Sequence, residues 1–355
     1  MKNWKSLMLI GASALALVAC GNDKKGEKDA GKDKGDKDDF SIVMITDTGG
    51  VDDRSFNQSS WEGMQEWAKE NKLPEKAATY IQSDEASQYI PNMQQAVNDG
   101  HDIIFGIGYL LAEPLEEVAK QHPDQHFGIV DGFVDEPNVV SLGFKDHEAS
   151  FLAGVAAAYT TKTDHVGFIG GEKGAIIDRF DTGFKAGVEW AAKELGKDIK
   201  IDSEYADSFS DAAKGKQIAS SQFSNGADII FHASGAVGNG VFEEAKDRME
   251  SDDSEPIWVI GVDRDQEAEG KYDGGNLTLT STLKQVGQSI KLTANDVMKD
   301  GKFEGGQKVF GLKDEGVDLT KGHLSEDVWK VIKEVKQKII DGDIEVPEFS
   351  YSDKE

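Results

Sequence analysis

Residues 102–105 read Asp102-Ile103-Ile104-Phe105, and residues 258–260 read Trp258-Val259-Ile260. Short apolar runs of this kind, without alternating polar residues, are typical of strands that are buried on both faces of a parallel sheet. Between such runs lie segments with apolar residues at helical spacing, as in residues 55–70. This regular alternation of strand and helix predicts an α/β fold built from doubly wound parallel sheets.

The alternation runs twice along the chain, with a break near residues 143–147. We therefore expect two α/β lobes joined by a hinge, with the chain crossing between them three times. Residues 40–146 with 281–303 are expected to form an N-terminal lobe, and residues 147–280 with 304–350 a C-terminal lobe. The predicted strands are 41–46, 78–82, 102–106, 126–130, 139–144, 165–169, 200–205, 228–231, 257–262 and 277–283. The predicted helices are 55–70, 85–98, 112–120, 148–161, 179–194, 212–225, 238–250, 285–298 and 325–340.

The composition excludes several classes of partner. The chain of 355 residues has 39 basic and 66 acidic side chains, which gives a formal net charge of −27. Phosphate binding requires clustered lysine and arginine, so nucleic acid is not an expected partner. The same acidity opposes electrostatic adhesion to an anionic bilayer. The single cysteine, Cys20, excludes a disulfide within the chain.

The first 39 residues predict a leader followed by a tether. Two lysines precede an apolar run, 7–19, that is shorter than the about 20 residues of a membrane-spanning helix. The run ends in Leu17-Val18-Ala19-Cys20, which resembles the lipobox of bacterial lipoproteins; the alternative is an ordinary signal peptide with an incidental cysteine. We expect residues 1–19 to be removed, Cys20 to carry lipid, and residues 20–39 to be a flexible charged tether. That lipid would be the protein's attachment to the extracytoplasmic face of the cell membrane.

Polar residues and glycines follow the predicted strands, where open α/β sheets bind their ligands. If the strand ends of the two lobes face each other, these residues line a cleft. Three carboxylates in the first loop oppose phosphate, so we expect a neutral ligand rich in hydroxyl groups. The strand ends carry Asp47 to Asp53, Gly106 to Tyr109, Asp131-Gly132, Gly170-Gly171, Asp207-Ser208, His232 to Gly235, and Asp263 to Asp265.

Several residues have two interpretations. Phe56 and Phe231 either pack in the core or project into the cleft as stacking surfaces, and Asp263 either caps a solvated turn or faces the cleft. No catalytic residue, metal or cofactor is predicted, because H-E-x-x-H, G-x-S-x-G and P-loop motifs are absent from the sequence. The best enzymatic alternative is a nucleoside hydrolase that holds Ca²⁺ with Asp47, Asp52 and Asp53.

A family resemblance is carried by Ile45-Thr46-Asp47-Thr48-Gly49-Gly50-Val51-Asp52-Asp53-Arg54-Ser55-Phe56-Asn57-Gln58. With residues 150–154, 166–171, 179–187, 262–266 and 281–285, this stretch resembles the basic membrane protein family, and in it the purine nucleoside receptor lipoproteins of bacterial ABC importers. The resemblance spans about residues 40 to 346. It implies a type I periplasmic-binding-protein-like fold, a purine nucleoside ligand such as guanosine, inosine or adenosine, an ABC permease as partner, a monomer and no enzymatic activity.

The resemblance also implies roles for individual residues. The base would stack between Phe56 and Phe231, with Asp47 and Thr48 reading its edge and Asp131 as a further base contact. The ribose would bind Asp263 and Lys284, and Gly238 would supply a backbone donor; Asn57 and Gly108 complete the expected set. A surface lipoprotein for another small hydroxylated ligand, and an adhesive surface protein without a ligand, remain open alternatives.

Overall fold

The computed structural model describes residues 40–251 and 256–349. The predicted signal peptide, the lipidated Cys20 and the tether lie outside the described residues. Within the described ranges, every helix falls short of the length and apolar character needed to cross a membrane.

The predicted α/β fold is confirmed, and strands and helices alternate through most of the described chain. The first part contains β1 (Ile42–Ile45), α1 (Phe56–Glu70), β2 (Ala78–Ile81), α2 (Tyr89–Asp99), β3 (Ile103–Ile107), α3 (Ala112–Gln121), β4 (His126–Val130) and β5 (Val139–Phe144). The middle part contains α4 (Asp146–Thr160), β6 (His165–Gly170), α5 (Ala175–Leu195), β7 (Lys200–Tyr205), α6 (Ala212–Ser224), β8 (Ile229–Ala233), α7 (Val237–Ser251) and β9 (Trp258–Gly261). The last part contains β10 (Lys271–Tyr272), β11 (Gly275–Asn276), β12 (Thr278–Lys284), α8 (Val286–Asp300), β13 (Gly306–Phe310), β14 (Val317–Leu319) and α9 (Glu326–Asp341).

Two six-stranded sheets form the two lobes. The first has the strand order β13-β5-β4-β3-β1-β2, and all its pairings are parallel. The second has the order β14-β12-β9-β8-β6-β7, with only β14 antiparallel to its neighbour. The central strands are buried on both faces: Ile103, Ile104 and Phe105 have no exposed surface. This is the arrangement that their unbroken apolar runs predict.

The chain passes between the lobes at three places, namely Lys145, Gln285 and residues 311–316. The expected lobe boundaries need two corrections. β12 pairs with β9 and with β14 in the second sheet, so residues 281–284 belong to the C-terminal lobe. Conversely, β13 pairs with β5, so residues 306–310 belong to the N-terminal lobe. β13 was not predicted because it is a largely exposed edge strand of sequence Gly-Gln-Lys-Val-Phe, which lacks an apolar run.

Helix α8 returns to the N-terminal lobe and packs on α1. Gly63 of α1 and Gly287 of α8 face each other, and a β-carbon added to Gly63 would lie 2.2 Å from the Cα of Gly287. On its buried face α1 places Met64 and Trp67 in the core. The two backbones approach closely here, so α8 packs against the middle of α1.

Candidate functional site

A cavity lies between the two lobes, where the loops that follow the strands of both sheets meet. It encloses about 540 Å³, including open space at its mouth, which is within the size range of small-molecule sites. The position agrees with the rule that α/β sheets bind ligands beyond the carboxyl ends of their strands. Its lining consists of Asp47, Gly49, Asp53, Phe56, Asn57, Gly108, Tyr109, Leu110, Asp131, Ile176, Ile177, Phe180, Phe209, Ala233, Ser234, Gly235, Val262, Asp263 and Lys284.

Asp47 and Asn57 form one polar end of the cavity. The Oδ1 atom of Asp47 accepts hydrogen bonds from the backbone N of Gly49 at 2.9 Å and from Nδ2 of Asn57 at 2.7 Å. Burial raises the pKa of Asp47 to about 7. The other oxygen, Oδ2, faces Gly108, where an added β-carbon would lie 3.2 Å away. Near neutral pH, Asp47 can therefore accept a hydrogen bond or, when protonated, donate one.

Asp53 holds the first turn of α1. Its Oδ1 accepts from the backbone N of Ser55 at 2.8 Å, and its Oδ2 accepts from the backbone N of Asn57 at 2.8 Å. These bonds satisfy amide groups that a helix N-terminus leaves without partners. Asp53 thus occupies the anion-attracting end of the helix and fixes the positions of Phe56 and Asn57 at the cavity.

A buried ammonium group also lines the cavity. Nζ of Lys284 is 2.5 Å from Oδ2 of Asp131 and 3.0 Å from Oδ1 of Asp146, and all three side chains are at most 5% exposed. Burial alone would lower the pKa of Lys284, but the carboxylates of Asp131 and Asp146 outweigh it and hold the pKa above its ordinary value. The lysine therefore remains protonated, and the two carboxylates balance its charge.

Asp263 lines the cavity and joins the two lobes through a hydrogen bond. It follows β9 in a left-handed backbone conformation with φ of 67°, and its Oδ2 accepts a hydrogen bond from Oγ of Ser55 in the N-terminal lobe. Burial raises the pKa of Asp263 to about 6, and the nearby Lys284 opposes part of this shift. Asp131, in the corresponding place after β4, has a φ of 62°. Such strained backbones are concentrated at functional sites.

Aromatic rings from both lobes bound the space beside Lys284. Its Nζ lies 5.3 Å from the ring centroid of Phe56, in the N-terminal lobe, and 5.3 Å from that of Phe180, in the C-terminal lobe. The two centroids are therefore at most twice this distance apart. Tyr109 and Phe209 meet edge to face, with centroids 6.2 Å apart, and also line the cavity.

Three of the expected site residues lie elsewhere. Phe231 has no exposed surface and packs among Phe168 and Phe184, with centroids at 5.7 and 5.3 Å, so its core interpretation is correct. Gly238 lies under His232, where an added β-carbon would be 2.1 Å from the ring, and is not among the lining residues. Thr48 is half-buried and also outside the lining.

The remaining expected residues come together around the cavity: Asp47, Phe56, Asn57, Gly108, Asp131, Asp263 and Lys284. Ser234 and Gly235, in the loop after β8 that was expected at the cleft, also line the cavity. Sequence reasoning missed Phe180 and Phe209 as lining residues. Phe180 stood in the stretch 179–187 that carries the family resemblance, but that signal does not show which side chains of α5 face the cavity.

The described ranges contain no site for the Ca²⁺ ion of the hydrolase hypothesis. No group of three or more histidine, cysteine, aspartate or glutamate side chains among the described residues is arranged to hold a metal ion. Asp47 and Asp53 already accept hydrogen bonds from their own loop, and Asp52 points to solvent. The carboxylates Asp47 and Asp53 of the first loop therefore stabilise the loop and the start of α1 and form part of the cavity wall.

Comparison with known proteins gives concordant results. Residues 40–350 match the family described as Bmp, ABC transporter substrate-binding protein PnrA-like. A CD4+ T-cell-stimulating antigen of Listeria innocua is 50% identical, with 97% of each chain covered. An ABC transporter nucleoside-binding protein, BmpA, of Lactococcus lactis subsp. cremoris is 45% identical over 97% of this chain and 99% of the relative. The crystal structure of an ABC transporter solute-binding protein from Aeropyrum pernix superposes with a TM-score of 0.78 at 25% identity, covering 88% of this chain and 95% of that one.

Proposed function

Because this chain belongs to the family of PnrA-like ABC transporter substrate-binding proteins, we propose that it captures purine nucleosides and delivers them to a membrane permease. The family consists of substrate-binding proteins of ABC transporters and not of enzymes. Guanosine, inosine and adenosine are the proposed ligands. The relative named as nucleoside-binding, which is similar over nearly its whole length, supports this class of ligand.

The observation that carries the proposal is the pair of rings, Phe56 and Phe180, on opposite lobes at equal distance from Lys284. A purine base between them would gain about 1–3 kcal/mol for each stacked face. This assignment replaces Phe231 by Phe180 as the second stacking residue. The polar end formed by Asp47 and Asn57 would bind the edge of the base.

The ribose is assigned to the part of the cavity that Asp263 and Lys284 line. A diol that donates to the carboxylate of Asp263 makes charge-assisted hydrogen bonds, which are stronger than neutral ones. A site that pairs ribose hydroxyls in this way discriminates against free bases and deoxy analogues, because its buried polar groups would lose their partners. Ser234 and Gly235 offer further polar groups from the C-terminal lobe.

Titration calorimetry of the purified protein tests this assignment. We expect tight binding of guanosine, inosine and adenosine, and much weaker binding of hypoxanthine and of ribose alone. Preferential binding of a free sugar would contradict the proposal, as would the absence of heat with every purine nucleoside. Chromatography of inosine after incubation with the protein and Ca²⁺ serves as a control, since release of free base would indicate a hydrolase.

The lipid anchor is a separate part of the proposal. The leader ending in Leu17-Val18-Ala19-Cys20 supports cleavage before Cys20 and lipid attachment to it. The receptor would then be held as a monomer at the extracytoplasmic face of the cell membrane. Mass spectrometry of the N-terminal peptide from the membrane fraction would show a diacylglyceryl-cysteine. Cys20→Ala should release the protein into the medium or leave an uncleaved precursor. An unmodified N-terminus at another residue would contradict the anchor.

A further inference from the structure

Lys284 and Asp146 lie at two of the three connections between the lobes. Lys284 is the last residue of β12, directly before the connection at Gln285, and Asp146 is the first residue of α4, directly after the connection at Lys145. The 3.0 Å contact between Nζ of Lys284 and Oδ1 of Asp146 therefore joins the two connections. Because both residues lie at the junction of the lobes, this contact holds the ammonium group where the two lobes meet.

Asp146 is outside the cavity. Its side chain is 1% exposed and is not among the lining residues, whereas Lys284 is. The carboxylate lies at the N-terminus of α4, where the helix dipole favours a negative charge. Asp146 thus has the position of a residue that acts on a ligand only through another side chain.

The hydrogen bonding of the lysine leaves a donor for the cavity. An ammonium group has three N–H donors. One donates to Oδ2 of Asp131 in the N-terminal lobe, whereas Oδ1 of Asp146 lies 3.0 Å from Nζ as an ion pair and accepts no hydrogen bond from it. The rings of Phe56 and Phe180 flank the ammonium at 5.3 Å. Because Lys284 lines the cavity, its remaining donors are available to a ligand there.

We propose that Asp146 is a positioning residue, which holds the Lys284 ammonium at the junction of the lobes so that its free donor meets a hydroxyl of the ligand's ribose. This inference rests on the proposed nucleoside function. Without Asp146 the ammonium would move toward Asp131 and Asp263, and the ligand would lose its donor. A residue that only balances charge for folding would affect stability but not the recognition of hydroxyl groups.

The experiment compares inosine with 2′,3′-dideoxyinosine in calorimetric titrations of the wild-type protein and Asp146→Asn. Asparagine keeps an acceptor oxygen but removes the charge. We expect inosine affinity to fall about tenfold, the loss of one hydrogen bond to a charged group, and dideoxyinosine affinity to change little. The ratio of the two affinities should therefore shrink about tenfold. An unchanged ratio, with or without a general loss of affinity, would overturn the inference.

Two further variants serve as controls. Asp228→Asn removes another buried carboxylate of the C-terminal lobe, one that accepts from Thr161 and Lys162 and is not among the lining residues, and it should leave the ratio unchanged. Asp146→Glu keeps the charge but displaces the carboxylate, and we expect it also to reduce the ratio. If Asp146→Asn shows no cooperative melting transition, Asp146→Glu decides, and a wild-type ratio in it overturns the inference. Absence of nucleoside binding by the wild-type protein would instead refute the proposed function.

Discussion

Replacing Asp263 by asparagine should weaken nucleoside binding and at the same time stabilise the folded protein. Asp263 is 8% exposed, and burial raises its pKa from 3.8 to about 6. A shift of this size corresponds to a penalty on the order of 3 kcal/mol for the ionised carboxylate in the folded state. Asparagine avoids the penalty and still offers an oxygen to Ser55. Lys284 keeps its contacts with Asp131 and Asp146 in the variant.

The pH dependence follows from the direction of the shift. Below about pH 4 the carboxyl group is protonated in both the folded and the unfolded chain, so the penalty is absent. Between about pH 4 and 6 the unfolded chain releases its proton while the folded chain retains it, and wild-type stability falls as pH rises. Above pH 6 the penalty is complete. We therefore expect the variant to exceed the wild type in free energy of unfolding by up to about 3 kcal/mol at pH 7, and by much less at pH 4.

Binding should respond in the opposite sense. A hydrogen bond to a charged group contributes about 1.5–3 kcal/mol, so the loss of the carboxylate should raise the Kd for inosine about 10- to 100-fold. The wild-type affinity should also fall below about pH 6, where Asp263 becomes protonated. Asp47, with a pKa of about 7, titrates in the same cavity in both proteins, so the difference between their pH profiles isolates Asp263.

Calorimetric titration at several pH values measures the Kd for inosine. Urea denaturation of the ligand-free protein measures the free energy of unfolding. Asp228→Asn is the matched control, because its carboxylate accepts three hydrogen bonds outside the cavity, and it should lose stability but keep its Kd. A Kd for Asp263→Asn within twofold of wild type would remove Asp263 from the site. A variant that is less stable than wild type at pH 7 would refute the argument from burial.

Four other substitutions test different parts of the structure. Phe180→Ala should weaken purine nucleoside binding about 10-fold or more by calorimetry, whereas Phe231→Leu should mainly lower the melting temperature, because only Phe180 lines the cavity. Gly63→Ala should destabilise the fold by about 1–3 kcal/mol in urea titrations, since its β-carbon would collide with the backbone of α8; wild-type stability would contradict the close packing. Glu269→Gln removes an ion pair between the lobes with the exposed Arg54, so nucleoside affinity should fall by no more than about fivefold, and the loss should vanish in high salt.

The extent to which the fold was predictable differs between the centre and the edges of the sheets. Central strands such as β3 are buried on both faces, so their sequences are apolar throughout and can be recognised. The edge strands β13 and β14 are partly exposed or only three residues long, and they carry no such pattern. Because these strands were missed, the lobe boundary after residue 303 was misplaced. Register and pairing at a sheet edge depend on the neighbouring strand, which a local pattern does not contain.

The site was predictable where backbone position alone determines it. Asp47, Asp131 and Asp263 each follow a strand, and the strand-end rule places them at the cavity without knowledge of their side-chain contacts. The two phenylalanines are a different case. Phe231 lies on a strand and points to the sheet face covered by α5, whereas Phe180 lies on that helix and covers the cavity. Both are apolar phenylalanines, so only the packing of helix on sheet distinguishes them.

The stretches with the clearest family resemblance are also those that meet between the lobes. Ser55 donates to Asp263, and Nε2 of Gln266 donates to the backbone oxygen of Arg54 at 2.9 Å, so residues 54–55 face residues 263–266. Asp263 therefore takes part in the contact between lobes through one oxygen and lies at the cavity as well. A ligand shifts a conformational equilibrium only through contacts that differ between the states. Since a ligand bound to Asp263 would use a carboxylate that Ser55 already orients, ligand affinity and lobe contact would depend on the same group.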